Sequence, residues 1–142
     1  MKKWVLALAL IATPALAASE AVMHRDPGCG CCVQWAAQVR KAFGRSVRVV
    51  DDANRPAVQR KVGLPPEFAS CHTALIDGMA FEGHVPIADM KRVLAAKPKG
   101  VRGLAVAGMP IGSPGMEVPG MAADRFPVIA FGTGKPFIYA RH

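Results

Sequence analysis

The most restrictive feature of this 142-residue sequence is a group of three cysteines placed where a helix is expected to begin. The turn-forming segment Asp26-Pro27-Gly28 interrupts the chain, and Cys29-Gly30-Cys31-Cys32 follows it at once. From Cys32 to Phe43 the apolar residues recur at intervals of three and four, which is helical spacing, and Gly44 is a natural helix end. The sequence therefore predicts a helix whose first turn carries the cysteines.

Short β-type runs and two more helical patterns surround this first helix. We expect strands at residues 19–24, 46–51, 72–77 and 79–82, and helices at residues 54–62 and 87–96. The resulting order, β-α-β-α-β-β-α, is that of an α/β fold of the thioredoxin-like type. We expect residues 19–96 to form this domain.

The remaining residues, 97–142, have a different composition. Ten of the 24 residues from Lys97 to Gly120 are glycine or proline, which predicts no regular element there. The runs 126–131 and 136–140, on either side of Gly132-Thr133-Gly134, predict a late hairpin. We interpret residues 97–142 as a C-terminal extension that packs on the domain and ends in a hairpin.

Residues 1–17 have the pattern of a cleaved secretory signal peptide. Lys2 and Lys3 precede an apolar run over residues 4–12, and Ala15-Leu16-Ala17 provides small residues for cleavage near Ala17. A membrane-spanning helix needs about 20 apolar residues, and this run is interrupted by Thr13-Pro14. We expect an exported protein that has no membrane segment after cleavage.

Composition excludes some functions of the exported chain. Loss of residues 1–17 leaves 125 of the 142 residues and removes two lysines, which lowers the formal net charge from +8 to +6. The basic residues are scattered and are not interleaved with aromatic residues, so nucleic acid is not an expected partner. A chain of this length can bury a core without covalent links, so the four cysteines are not needed merely to hold the fold.

The cysteines leave three interpretations open. A helix N-terminus favours the thiolate, which is both the nucleophile of disulfide exchange and a ligand for soft metals. Cys29 and Cys32 could exchange disulfides, although the adjacent Cys31 makes a simple exchange motif less natural. Structural disulfides involving Cys71 are the third interpretation, and four cysteines allow three pairings.

The other sulfur atoms favour a soft metal. Met109, Met116 and Met121 lie in the glycine- and proline-rich segment, not on a helix face where they would line a core. Thioether and thiolate together select Cu(I), whereas zinc sites prefer thiolate with imidazole. Methionines in a loop can also simply fill gaps in packing.

Two histidines lie near the predicted third strand. Adjacent strand residues point to opposite faces, so we expect Cys71, but not His72, to meet the cysteine cluster. His84 lies in the turn before the third helix, where a hydrogen-bonding role at the helix entry is the simplest interpretation.

Taken in order, these motifs resemble the CopG-type family of exported copper-resistance proteins, long catalogued as a domain of unknown function. The resemblance covers residues 22–139. It rests on the segments Cys29-Gly30-Cys31-Cys32 with Trp35, Cys71-His72-Thr73-Ala74, Glu82-Gly83-His84-Val85-Pro86, Gly108-Met109-Pro110 and Gly112-Ser113-Pro114-Gly115-Met116-Glu117. Met79 and Ala107 depart from the family pattern, in which we expect an aromatic residue and a proline, and neither position adjoins a cysteine.

The resemblance implies a periplasmic thioredoxin-like domain that binds several copper ions and interconverts Cu(I) and Cu(II) in copper resistance. It implies the metal ligands Cys29, Cys31, Cys32 and Cys71, with Met109, Met116 and His84 as further candidates. We expect Cys29 and Cys32 to carry any redox catalysis, a copper efflux system to be the partner, and the protein to be a monomer. The alternatives are a non-catalytic copper carrier or store and a metal-free thiol–disulfide oxidoreductase.

Overall fold

The computed structural model describes residues 20–142, so the predicted signal segment lies outside the described residues. The helices are α1 (Gly30–Phe43), α2 (Arg55–Val62) and α3 (Ile87–Ala96), with a short 3-10 helix at Pro66–Phe68. The strands are β1 (Ala21–Arg25), β2 (Val47–Asp51), β3 (His72–Ile76), β4 (Met79–Glu82), β5 (Val101–Ala105), β6 (Pro127–Gly132) and β7 (Phe137–Arg141).

Within residues 20–142 these strands form one sheet with the order β2-β1-β3-β4-β5-β6-β7. The pairs β1–β2 and β4–β5 are parallel, and the other neighbouring pairs are antiparallel. The α/β class and the predicted element order are confirmed. Strand β4 and helix α3 have the predicted bounds, and the late hairpin is present as β6 and β7.

The helices cover both faces of the sheet. Successive residues of a strand point to opposite faces of the sheet. Phe81, Leu104 and Ala130 belong to one buried cluster, and a residue next to each of them along its strand belongs to the other cluster. Helices α1 and α3 contribute to the first cluster, and the end of α2 to the second. The largest buried side chains include those of Trp35 and Phe131. Among residues 20–142, none of the helices is long and apolar enough to cross a membrane.

The prediction that no regular element occurs in residues 97–120 was wrong, because β5 lies there. Gly103 sits in the middle of β5, where a Cβ atom would collide with the carbonyl of Ala80 and would lie 2.6 Å from the ring of Phe131. The glycine thus allows β4 and the Phe131 ring to approach the strand closely. The sequence alone cannot distinguish this use of glycine from a turn.

Candidate metal centre

The centre forms beside two interior strands, at the end of the sheet where β1 ends and β3 begins. In the antiparallel register Arg25 lies opposite His72, so the residues just beyond them meet at the same end. The backbone N–H of Asp26 donates to the carbonyl of Cys71 (3.0 Å), and the N–H of Cys29 donates to the carbonyl of Asp26 (3.1 Å). These bonds hold Cys71 beside the first turn of α1, as expected.

Four sulfur atoms lie together at this place. Cys29 and Cys32 form a disulfide, while Cys31 and Cys71 are free thiols among residues 20–142. The Sγ atom of Cys31 is 3.4 Å from that of Cys29, and the Sγ atom of Cys71 is 3.4 Å from that of Cys32. All four sulfurs lie within 4.8 Å of one another, a spacing that would let them share one or more metal ions once the disulfide is reduced.

The cluster runs from the surface to the interior. Met109 is 52% exposed, and its Sδ atom is 3.9 Å from the Sγ atom of the partly exposed Cys31. Cys32 is fully buried, and Cys71 is 9% exposed. The sulfur donors therefore form a path by which a soft ion can enter from solvent.

The extension reaches the cluster because it packs directly on the backbone of α1. At Gly115, with φ +85°, a Cβ atom would lie 2.7 Å from the backbone N of Trp35 and 2.8 Å from the carbonyl oxygen of Cys31. The hydroxyl of Ser70 donates to the carbonyl of Gly108, which precedes Met109. Close backbone packing thus places Met109 at the cluster.

Met116 is held in the turn that contains Gly115. Its N–H donates to the carbonyl of Ser113 (2.8 Å), and its carbonyl accepts from the N–H of Gly112 (2.9 Å). Within residues 20–142 the sulfur contact that Met109 makes with Cys31 has no counterpart at Met116. Its role as a ligand stays a prediction.

His84 adds a nitrogen donor. Its Nδ1 lies 2.8 Å from the carbonyl oxygen of Pro114, and a carbonyl can only accept, so Nδ1 carries the hydrogen. The unprotonated Nε2 then faces the Sγ atom of Cys71 at 3.3 Å. The extension thus fixes the tautomer that leaves a lone pair directed at the cluster.

The expectation that His72 points away from the cluster was wrong. Cys71 lies in a bend and β3 begins only at His72, so strand alternation does not separate the two side chains. Nδ1 of His72 is 3.6 Å from the Sγ atom of Cys71, and its ring lies 4.5 Å from that of Trp35 and 5.1 Å from that of His84. The sequence feature that could have indicated this contact is the adjacency of Cys71 and His72 at the start of a predicted strand.

Burial makes the inner part of the centre electrically neutral when no metal is bound. It raises the pKa of the Cys71 thiol to about 11, even though a hydrogen bond with Ser70 acts in the opposite direction. Burial also lowers the pKa of His84 and, to a greater extent, that of His72. A thiol and two neutral imidazoles therefore face one another, and a bound cation would stabilise the thiolate and release its proton.

A buried carboxylate supports the loop that carries Cys71. Glu82 accepts hydrogen bonds from the backbone N–H of Ser70 (2.7 Å), from Gln59 (2.7 Å) and from Thr73, and it pairs with Arg55 at 3.2 Å. Burial raises the pKa of Glu82, and these bonds oppose the change. Sequence reasoning missed this network, since a glutamate within a short strand gives no sign of such partners.

The donor set suits a soft metal. Thiolate, thioether and imidazole together are the ligands that copper accepts, whereas magnesium and calcium require oxygen. The fully buried His72 also has no hydrogen-bond partner for Nε2 within the described part of the chain. These residues fit a copper centre, in which the four cysteines, Met109 and the histidines would supply the ligands.

Comparison with known proteins agrees with this chemistry. A family described as protein of unknown function DUF411 matches residues 68–116, which include Cys71, His84 and Met109. No curated protein matches the chain. A solved structure of copper resistance protein CopG, form 1, is 37% identical, with a TM-score of 0.79, over 89% of this chain and 98% of its own.

A second form of that protein gives the same result. It is 38% identical, with a TM-score of 0.77, over 87% of this chain and 97% of its own. In both comparisons the match covers nearly the whole of both chains. The chain belongs to the CopG family of copper resistance proteins.

Proposed function

We propose that this protein binds copper at the cysteine cluster and interconverts Cu(I) and Cu(II) with electrons exchanged by Cys29 and Cys32. The observation that carries the proposal is the meeting of four cysteine sulfurs within 4.8 Å, two of them joined as a disulfide. The cluster thus combines a metal-binding group with a two-electron couple in one place.

The ligands favour copper over zinc. Structural zinc sites are closed by four thiolates or imidazoles, and a thioether contributes little to them. Here the exposed Met109 adjoins Cys31, and thiolate with thioether is the combination that selects Cu(I). The two solved relatives are named copper resistance proteins, which supports the same metal.

The redox step balances without another oxidant. Two Cu(II) ions each accept one electron from the Cys29 and Cys32 thiols, the S–S bond forms, two protons leave and two Cu(I) ions result. In the reverse direction the disulfide accepts two electrons from two Cu(I) ions, and the S–S bond breaks to give two thiolates. Repeated turnover needs a thiol or disulfide partner to reset the pair.

The setting that we propose is the periplasm. The signal-like residues 1–17 direct export, cleavage near Ala17 releases the domain, and copper handled there passes to or from an efflux system. We propose a monomer in which residues 97–142 pack on residues 19–96 and extend their sheet with β5, β6 and β7. A carrier or store would use the same ligands without any change of valence.

One observation favours a second candidate function, metal-free thiol–disulfide exchange. Cys29 and Cys32 are joined at the N-terminus of α1, the position where helix N–H groups stabilise a leaving thiolate. This candidate requires Cys31 to remain passive beside the reacting pair. It predicts reduction of a test disulfide at equal rates with and without copper chelators.

The test begins with anaerobic, fully reduced protein to which Cu(II) is added. We expect about two Cu(I) per chain, detected with a Cu(I)-specific chelator, because the thiol pair supplies two electrons. Peptide mass spectrometry should find the new bond between Cys29 and Cys32. A carrier would form Cu(I) no faster than an equal concentration of a simple dithiol does, and a bond that involves Cys31 or Cys71 would overturn the assigned pair.

A variant tests the binding site separately. Cys71→Ser should reduce the number of Cu(I) ions held by the reduced protein, because it removes the innermost thiolate. Ser70→Ala is the matched control, since it changes the neighbouring residue and leaves all four sulfurs. Normal copper loading of Cys71→Ser would remove Cys71 from the site.

A further inference from the structure

We propose that Arg55 is a positioning residue, which holds together the two thiol-bearing segments of the copper centre. One segment is the turn that leads into Cys29, and the other is the bend that carries Cys71. Arg55 acts on the sulfurs through the carboxylates of Asp26 and Glu82. The inference rests on the proposed function, since it concerns how the sulfurs of that centre are kept close before copper binds.

The disulfide does not fix the position of Cys71. Cys29 and Cys32 are three residues apart, and both lie at the start of α1. The distance of 3.4 Å between the Cys32 and Cys71 sulfurs therefore depends on noncovalent contacts between segments 39 residues apart in the chain. The backbone hydrogen bond from Asp26 to the carbonyl of Cys71 is one such contact.

Arg55 adds a side-chain link to both segments. Its Nε and Nη2 atoms donate to the two oxygens of the Asp26 carboxylate at 2.8 Å and 3.1 Å. Its Nη1 atom donates to Oε1 of Glu82 at 3.2 Å, and the same oxygen accepts the backbone N–H of Ser70 at 2.7 Å. Ser70 directly precedes Cys71, and Asp26 belongs to the turn before α1, so one guanidinium connects both segments.

Two further donors fix the Glu82 carboxylate. The side-chain amide of Gln59, one turn beyond Arg55 on α2, donates to Oε1 at 2.7 Å, and the hydroxyl of Thr73 donates to Oε2. Glu82 is fully buried, and both of its oxygens are hydrogen-bonded. The carboxylate is therefore held in one orientation and transmits the position of Arg55 to Ser70.

Burial distinguishes Arg55 from an ordinary surface arginine. Its side chain is 9% exposed, and Arg55 is the buried residue of α2, which the structure describes in full. A buried ion pair is weak evidence for stabilisation, because desolvation of the charges offsets their attraction. A guanidinium can, however, hold two carboxylates in defined positions, whereas the ammonium of lysine is a point charge. The arrangement therefore favours a role in the geometry of the centre.

The first experiment measures, without any metal, how closely Cys32 and Cys71 are held. The parent is the full chain with Cys29→Ser and Cys31→Ser, so that the two remaining thiols close one disulfide. Glutathione disulfide is the oxidant: the protein S–S bond forms, the glutathione S–S bond breaks, and two molecules of glutathione are released. Alkylation and mass spectrometry give the equilibrium constant, which reports the effective concentration of one thiol at the other.

Two substitutions in this parent weaken the link in different ways. Asp26→Asn removes the charge of a carboxylate that is 52% exposed and leaves Arg55 paired with Glu82. Arg55→Lys keeps the positive charge but loses the bidentate geometry. We expect each to lower the equilibrium constant about tenfold, which is about 30 mV for this two-electron couple. The double variant should be no worse than the single variants by more than about threefold, because both changes remove one contact.

Glu20→Gln is the matched control for Asp26→Asn. Glu20 is 57% exposed and also pairs with an arginine, Arg48, at 3.2 Å, but it precedes β1 at the opposite end of that strand from the centre. Its substitution should leave the equilibrium constant within about twofold of the parent, as is usual for surface ion pairs. Urea unfolding of the reduced proteins gives the fraction folded. A decrease in the constant that follows only the loss of folded protein would overturn the proposal.

The second experiment measures Cu(I) affinity in the reduced protein with all four cysteines present and a chelator as competitor. We expect Asp26→Asn to weaken Cu(I) binding about tenfold, the usual effect of losing a group that orients metal ligands. Glu20→Gln should again match the wild type. Unchanged Cu(I) affinity of Asp26→Asn, in a protein whose wild type binds Cu(I), would overturn the proposal.

The other outcomes are equally decisive. An unchanged glutathione equilibrium in both Arg55→Lys and Asp26→Asn, or an equal loss in Glu20→Gln, would overturn the positioning role. A parent that forms no bond between Cys32 and Cys71 would do the same, because the two sulfurs would then not be held close. Failure of the reduced wild-type protein to bind Cu(I) would remove the proposed function, whereas the metal-free equilibrium would still test Arg55.

Discussion

His72 and His84 couple the stability of the metal-free protein to pH. Burial lowers the pKa of both side chains from the ordinary value of 6.5, so the native state holds them neutral. The unfolded chain therefore binds more protons below pH 6.5, and the free energy of unfolding decreases as the pH falls through that value. Each histidine contributes at most about 1.4 kcal/mol per pH unit.

Urea unfolding in the presence of a chelator at pH 7.5 and pH 5.5 measures this effect. The neighbouring charged groups are Arg55 and Glu117, and Glu82, with a raised pKa, changes stability in the opposite direction. His84→Gln isolates one histidine and should reduce the pH dependence. A stability that is constant or higher at pH 5.5, with no effect of the variant, would contradict the prediction.

At the scale of elements, the position of the extension depends on its close packing against α1. Gly115→Ala adds a Cβ atom only 2.7 Å from the backbone of Trp35, which is part of a helix and cannot move aside. We expect a loss of about 2–4 kcal/mol in the free energy of unfolding and weaker Cu(I) binding, because displacement of the turn moves Met109 and Pro114.

Gly120→Ala is the control for this prediction. Gly120 has a similar φ of +80°, but nothing lies within 4 Å of the position of its Cβ atom. Its substitution therefore carries the conformational cost of a left-handed residue, about 1 kcal/mol, without the collision. Equal effects of the two variants on unfolding and on Cu(I) affinity would show that the contact with α1 is unimportant.

Elements differed in how well their sequences predicted them. Helix α3 and strand β4 were predicted to the residue because their apolar periods are local and their ends have turn-forming neighbours. Strand β5 was missed because its pairing with β4 and β6 is non-local, and Gly103 was interpreted as a breaker. Sequence patterns reflect interactions between residues that are close in the chain, whereas strand pairing joins residues that are far apart in it.

For the whole molecule, we predict that residues 97–142 are required for folding. β5 pairs with β4, and Leu104, Val128 and Ala130 share a buried cluster with Phe81 of β4. A chain that ends at residue 96 would expose this apolar surface and the edge of β4. We expect it to lack cooperative thermal unfolding, which calorimetry measures.

The full chain from residue 18 to residue 142 is the reference for this experiment. A deletion confined to residues 135–142 is the milder comparison, since it removes β7 and leaves β5 and β6 paired. Cooperative unfolding of the chain that ends at residue 96 would show instead that the extension is an accessory layer on an independent domain.

The sequence by itself determined the order of the elements from β1 to α3, the placement of three cysteines at the start of α1 and the preference of the donors for a soft metal. Each of these follows from spacing along a helix or from the chemistry of a side chain, which are local properties. Only the tertiary structure brought His72 into the centre, through the bend at Cys71, and set the tautomer of His84 through the Pro114 carbonyl. Those contacts depend on the β1–β3 register and on packing of the extension against α1, which join residues far apart in the chain.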